Sequence, residues 1–474
     1  MSLNSVRLLY LESLHSSRLM VDRARIKYKP DGNFGWIAVL GSLIISILAD
    51  GYTYTAGQFY EQFLTVYGKS ETITSIYIAI MTSSIFSISP FASGLIKVYG
   101  CRTVSIVGTI LTIFGLGLST VFDRSIYLHC FTLGFLAGCG LGFLFIAQVV
   151  IVTVWFDEKL GLATGLAECG SGFGMAIFAL VIDHFIQVYS WKGAMIILCG
   201  LISTCLAISG LYAEPGCSDP NQDNRLATKK HFYMALREAV DFRLLRNDRH
   251  FLLLAISQAI LSLVLFYPII IISDRIKRSS SLYQNEKSTS IYVCFGIANG
   301  IGRILFGWIS TSFEVNNLWL YISISFGLGF SIIITNLSTG MLSMQSFYCL
   351  IGIFYGGNIC LTPVVLVNML GHEQMANSFG IISFFNGIGA LIGPPLLNSI
   401  VSPIEIENQK NFNGKVSQND IYQTSIWIAG IINIFSAMIL FPLPYLTANN
   451  DPNNPIGRKN RSIKSKILIE IEND

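Results

Sequence analysis

The feature that most constrains this chain is a set of long apolar runs, each about the length needed to cross a bilayer as a helix. One crossing takes about 20 consecutive apolar residues. Such runs lie near 36–60, 73–95, 103–121, 127–153, 160–186 and 193–213, and again near 251–273, 289–311, 318–337, 342–369, 377–401 and 423–445. They are continuous rather than alternating, so they read as helices and not as strands of an outer-membrane barrel. The spacing predicts an all-α membrane protein of twelve spans, six on each side of a polar gap.

Composition agrees. Of the 474 residues, 52% are hydrophobic and only 12% charged. Soluble domains carry about 25% charged residues, and half that charge leaves too little polar surface to solvate a globule of this size. A net charge of +3 gives no reason to expect a nucleic-acid partner. The ten cysteines are scattered through apolar runs with no C-x-x-C pair and no zinc spacing, so they read as small apolar fillers. No metal or cofactor site is expected.

The chain divides accordingly into a polar segment 1–34, a first six-helix bundle 35–213, a loop 214–249, a second bundle 250–446 and a tail 447–474. The first run is too long for the apolar stretch of a cleavable signal and is expected to stay as an anchor. The termini and even-numbered connections hold most of the lysine and arginine, which puts both termini in the cytoplasm. The basic connection SDRIKRSSSLYQNEKS after span 7 runs against that count. From Lys229 the central loop reads as an amphipathic helix, with Phe232, Leu236 and Val240 on one face.

An internal repeat appears when residues 147–174 are slid onto 362–389 without a gap. Val149, Val150 and Val152 fall on Val364, Val365 and Val367; Glu158 falls on Glu373; Gly165, Gly172 and Gly174 fall on Gly380, Gly387 and Gly389. Spans 4–5 thus match spans 10–11 in the same orientation. Two parallel six-span pseudo-repeats resemble the major facilitator architecture, in which substrate binds at midplane between the halves. The three glycines of span 5 are expected to let it pack closely on a neighbour. Pro394 and Pro395 are expected to kink span 11.

Charge inside an apolar span is functional by default. Arg303, in CFGIANGIGRILFGW, stands about 12 Å from the cytoplasmic end of span 8, with Gly296, Asn299, Gly300 and Gly307 on its face. That small, polar stripe is expected to face protein or a water-filled central cavity. A guanidinium can hold a carboxylate through two parallel hydrogen bonds, so Arg303 is the first candidate for binding substrate, with Tyr54 and Asn299 beside it. Asp50, mid-span in span 1, reads as the internal partner of Arg303 or as a proton carrier. Glu168 is a further buried acid with a coupling or gating role, the weaker of the two because it shares its helix with the close-packing glycines. Asp183 and His184 fall where water reaches the outer end of span 5. With no phosphate-binding loop and no nucleophile–base set, neither ATP-driven transport nor enzymatic catalysis is indicated.

Three stretches resemble the monocarboxylate transporter family. KPDGNFGW (29–36) is similar to the motif that precedes that family's first span. VWFDEKLGLATGLAECGSG (154–172) resembles its fifth-span motif, and PVVLVNMLGHEQMANSFGIISFFNGIGALIGPPL (363–396) its tenth-to-eleventh-span segment. The resemblance implies an alternating-access carrier of small organic acids or related metabolites, in the plasma membrane. For some relatives it also implies a single-span accessory glycoprotein. Lactate-carrying members have an Asp four residues before the span-8 Arg, and a span-1 Lys; here those positions are Asn299 and Tyr54. Proton linkage therefore stays open. Two alternatives stand beside it: a proton-independent facilitator of aromatic amino acid-like or hormone-like solutes, and a non-transporting sensor or scaffold with a transporter fold.

Overall fold

The computed structural model describes residues 31–69, 71–122, 125–212, 243–272, 275, 289–313, 315–338, 340–411 and 420–450. The helix expected from Lys229, the basic connection after span 7 apart from Arg275, and most of the segments 1–34 and 447–474 lie outside the described residues.

Among the described residues ten helices are long and apolar enough to cross a membrane, and two of them are double. The helix over Ile76–Val121 contains Gly100 at φ 81°, and Leu160–Ser209 contains Ser190 at φ 61°. A left-handed residue cannot continue a right-handed helix, so each marks a turn between two antiparallel spans. Twelve spans result. Spans 1 to 6 are Asn33–Thr55, 76–99, 101–121, Ile126–Trp155, 160–189 and 191–209. Spans 7 to 12 are Arg249–Ile270, Thr289–Ser312, Asn317–Leu337, Met341–Leu370, His372–Leu397 and Tyr422–Leu446. Among the described residues there is no strand.

Local chemistry sets several of these boundaries. Asp248 Oδ1 accepts from His250 N at 2.8 Å and caps span 7; Asn316 Oδ1 accepts from Leu318 N at 2.9 Å and caps span 9. Gly371, at φ 80°, turns the chain sharply between spans 10 and 11. The span-11 helix runs on through Pro394 and Pro395 as part of one helix, His372–Asn411. The outer surface is apolar: Phe114, Leu180, Ile196, Phe330 and Phe435 are each more than half exposed. Such side chains in that number suit hydrocarbon rather than water.

The two motifs around spans 1 and 5 form one unit. Asp31 carboxylate oxygens accept from Glu158 N at 3.1 Å and Lys159 N at 3.0 Å, and Asp31 N donates to Trp155 O at 3.0 Å. Phe34 packs on Trp155, Trp36 meets Phe156 edge-on, and Gly35 makes the room. The segment before span 1 thereby holds the turn from which span 5 departs.

Glycine-lined seams join the halves. A β-carbon on Gly165 would stand 2.6 Å from Arg303 O, and one on Gly172 would stand 2.6 Å from Gly296 O, so span 5 lies backbone to backbone on span 8. Their repeat mates do the same elsewhere: Gly380 abuts Ser93 and Pro90, and Gly387 abuts Ser87 and Ser83, seating span 11 on span 2. Gly174 lies on Ile47 of span 1, and its mate Gly389 lies on Ser262 of span 7; the same shift that relates the two glycines relates Ile47 to Ser262. Equal positions in the two halves make equal contacts, which is the structural content of the repeat.

Candidate functional site

The 5–8 seam holds a buried ion pair. Arg303 Nη1 lies 3.2 Å from Glu168 Oε2 and 3.1 Å from the Glu168 carbonyl oxygen. Arg303 Nε donates to Asn299 Oδ1 at 2.9 Å, one turn earlier on span 8. Arg303 is 2% exposed, Glu168 3% and Asn299 2%. Gly356 of span 10 leaves space for the arginine stem, since a β-carbon there would stand 3.1 Å from Arg303 Cγ.

Two of the sequence expectations meet a different arrangement. The carboxylate that meets Arg303 belongs to Glu168 rather than to Asp50. The helix carrying the close-packing glycines is the one that brings the acid within reach, because backbones that approach this closely put the side chains and carbonyls of one helix beside those of the other across the seam. The guanidinium, expected to open onto water, is enclosed by protein in this conformation.

Asp50 is held by a residue that sequence reasoning passed over. Gln148 Nε2 of span 4 donates to Asp50 Oδ2 at 3.1 Å. Gln148 is fully buried, and its own Oε1 lacks a hydrogen-bond partner. Its signal in the sequence was a lone amide in an uncharged helix of 30 residues, Ile126–Trp155. Asp50 closes a π-helical turn, Ser46–Asp50, a wider turn that rotates the residues beyond it relative to a regular helix. Tyr54, one turn on, is half-buried and packs against the cluster of Phe295 and Tyr355 in the second half. Tyr54 and Asp50 both lie close enough to Arg303 to feel its charge.

The site therefore gathers spans 1, 4 and 5 from the first half and spans 8 and 10 from the second. Arg303, Asn299 and Glu168 touch directly, and Asp50 and Tyr54 flank them. A second tie crosses between the halves where span 1 begins. His372 Nδ1 lies 2.8 Å from Thr153 O, and its Nε2 lies 3.4 Å from Asp157 Oδ1. Leu162 N donates to Thr311 Oγ1 at 2.8 Å close by. The halves are thus closed on each other at that face. Among the described residues no cluster of side chains has the makings of a metal site.

The sequence profile of the Major Facilitator Superfamily matches residues 34–394. Among curated proteins, monocarboxylate transporter 12 of Xenopus laevis is 25% identical over 402 residues, covering 80% of this chain and 85% of that protein. Human monocarboxylate transporter 12 is 24% identical over 452 residues, with 90% and 84% covered. Bovine monocarboxylate transporter 1 is 24% identical over 453 residues, with 87% and 85% covered. A family profile spanning most of the chain, twelve membrane spans in two repeated halves and a charged site between them agree. This chain is an integral membrane protein of the major facilitator superfamily, a family of transporters and not of enzymes, and is similar within it to monocarboxylate transporters.

Proposed function

We propose that the protein carries a small carboxylate-bearing organic solute across a membrane by alternating access. Arg303 is the anion grip, Tyr54 and Asn299 line the site, and Asp50 and Glu168 serve coupling or gating. The observation that carries this reading is that a permanent cation, buried on the seam between the halves, takes its counter-charge from the opposite half. An arginine so placed is costly, by about 2.5–3.5 kcal/mol or more, unless an anion meets it. Its planar fork suits a carboxylate. Rocking the halves apart about the glycine seams exposes the pair and leaves the guanidinium for an incoming acid. The names of the relatives point to the same substrate class.

The face closed by His372 and Asp157 is assigned to the cytoplasm, with both termini there, so the present conformation is closed inward. The boundaries 35–213 and 250–446 describe the two rocking bundles. The plasma membrane is the assigned location, and an accessory single-span glycoprotein belongs to the same reading.

The test is flux into proteoliposomes holding the purified protein. Labelled acetate, lactate, pyruvate, phenylpyruvate and aromatic amino acids are compared with and without a proton gradient. Saturable uptake of at least one monocarboxylate is expected, and Arg303→Ala should abolish it. Stimulation by an inward proton gradient assigns proton linkage, and insensitivity to it assigns facilitation. Uptake of the amino acids alone would favour the aromatic-solute reading. Unchanged uptake in Arg303→Ala would remove Arg303 from the binding role.

A further inference from the structure

We propose that Glu168 is an internal stand-in for the substrate's carboxylate, and that its pairing with Arg303 is what allows the empty carrier to return across the membrane. The proposal rests on the carrier reading above and adds a role to one residue of that site.

The pair is well placed but incomplete. Glu168 gives Arg303 one carboxylate oxygen, at 3.2 Å, and its other oxygen, Oε1, is buried without a hydrogen-bond partner. Among the described residues no protein group accepts from Arg303 Nη2, which is not sealed from solvent as Glu168 Oε1 is. A free carboxylate that offers both oxygens in the plane of the guanidinium makes two parallel bonds where Glu168 makes one. A solute therefore displaces Glu168 when present, and Glu168 takes its place again once the solute has left. The other nearby acid, Asp50, is engaged by Gln148 at 3.1 Å.

Holding the halves together does not account for the pair. Both seams are closed by small residues: Gly165 and Gly172 on span 8, Gly380 and Gly387 on span 2. The repeat register sets Glu168 on Ser383 of span 11, a buried neutral hydroxyl. The second seam closes with no carboxylate at that position, so the acid of the first seam answers a need peculiar to the arginine. With both side chains almost wholly enclosed, little water can stand in for the missing anion. A carrier that must close empty would close over a naked guanidinium, an expensive state.

This separates two modes of flux. In exchange, a solute accompanies Arg303 in both directions. In net uptake, the carrier must return empty, and only that leg needs Glu168. Glu168→Gln keeps shape and hydrogen bonding while removing the charge. With the full chain in proteoliposomes, and whichever of labelled acetate, lactate, pyruvate or phenylpyruvate the unmodified protein moves fastest, net uptake should fall by roughly two orders of magnitude. That is the rate equivalent of leaving a mid-membrane arginine uncompensated. Exchange against internal unlabelled acid should fall far less.

Glu168→Asp keeps the charge but withdraws it by one carbon–carbon bond, and should slow net uptake more than exchange. In detergent, sodium formate should raise the melting temperature of Glu168→Ala, where the truncated side chain leaves a place beside Arg303, and leave the unmodified protein unmoved. Equal loss of net uptake and exchange, undiminished net uptake in Glu168→Gln, or no response of Glu168→Ala to formate would each overturn the proposal while leaving the carrier reading in place. Failure of the unmodified protein to carry any of the acids would remove both.

Discussion

The closeness of the 5–8 seam can be tested by adding two methyl groups and a β-carbon at one point. In Gly172→Val the new β-carbon stands 2.6 Å from Gly296 O and 2.9 Å from Gly300 Cα. Non-bonded carbon contacts settle near 3.5–4.0 Å, so the helices must part by about 1 Å at that level. Arg303 and Glu168 lie one turn away on the same two helices, and their 3.2 Å contact lengthens with the gap. Overpacking of this kind costs about 1–3 kcal/mol, and a strained ion pair adds to it. The control is Gly200→Val on span 6, where a β-carbon meets nothing within 4 Å. The two variants share the same change in helix propensity, so it cancels between them. The assay is thermal unfolding in detergent followed with a thiol-reactive dye, which reports exposure of the buried cysteines Cys101, Cys139, Cys169, Cys205 and Cys360. Gly172→Val should melt several degrees below Gly200→Val and carry solute more slowly. Equal midpoints would refute backbone contact as the basis of the seam.

Two further outcomes follow from the tie at the face where span 1 begins and from the turn before span 5. Asp31→Ala removes the acceptor for Glu158 N and Lys159 N and should cost about 1 kcal/mol, the usual loss for a helix-start acceptor, read as a lower melting temperature with span 5 most affected in hydrogen exchange. Joining Asp157→Cys to His372→Cys with a short bifunctional thiol reagent should stop flux in both directions, whereas either single variant treated alike should keep it; flux that survives joining would mean that this contact does not open during transport.

Much of the architecture was readable in the chain. Twelve apolar runs of bilayer length leave little choice, because a backbone in hydrocarbon must satisfy its own hydrogen bonds and a helix does so within itself. The repeat was readable too, since glycines that must admit a neighbouring backbone stand at equal positions in both halves. The DGNFGW and WFDEK segments stood out in the sequence, but their mutual packing did not.

What the tertiary structure alone decided is which helix meets which, and at what rotation. The spans are apolar nearly all round, so no stripe in the sequence names the neighbour of span 8. Arg303 and Glu168 are 135 residues apart, and Glu168 looked the weaker partner because it shares its helix with the close-packing glycines. A π-helical turn in that span, invisible to periodicity, precedes the contact of Asp50 with Gln148. Local sequence determines whether a segment is helical and whether it is apolar enough for lipid. The pairing of a charge depends on the angle at which two packed helices present their faces, and that angle is set by every contact along the seam at once.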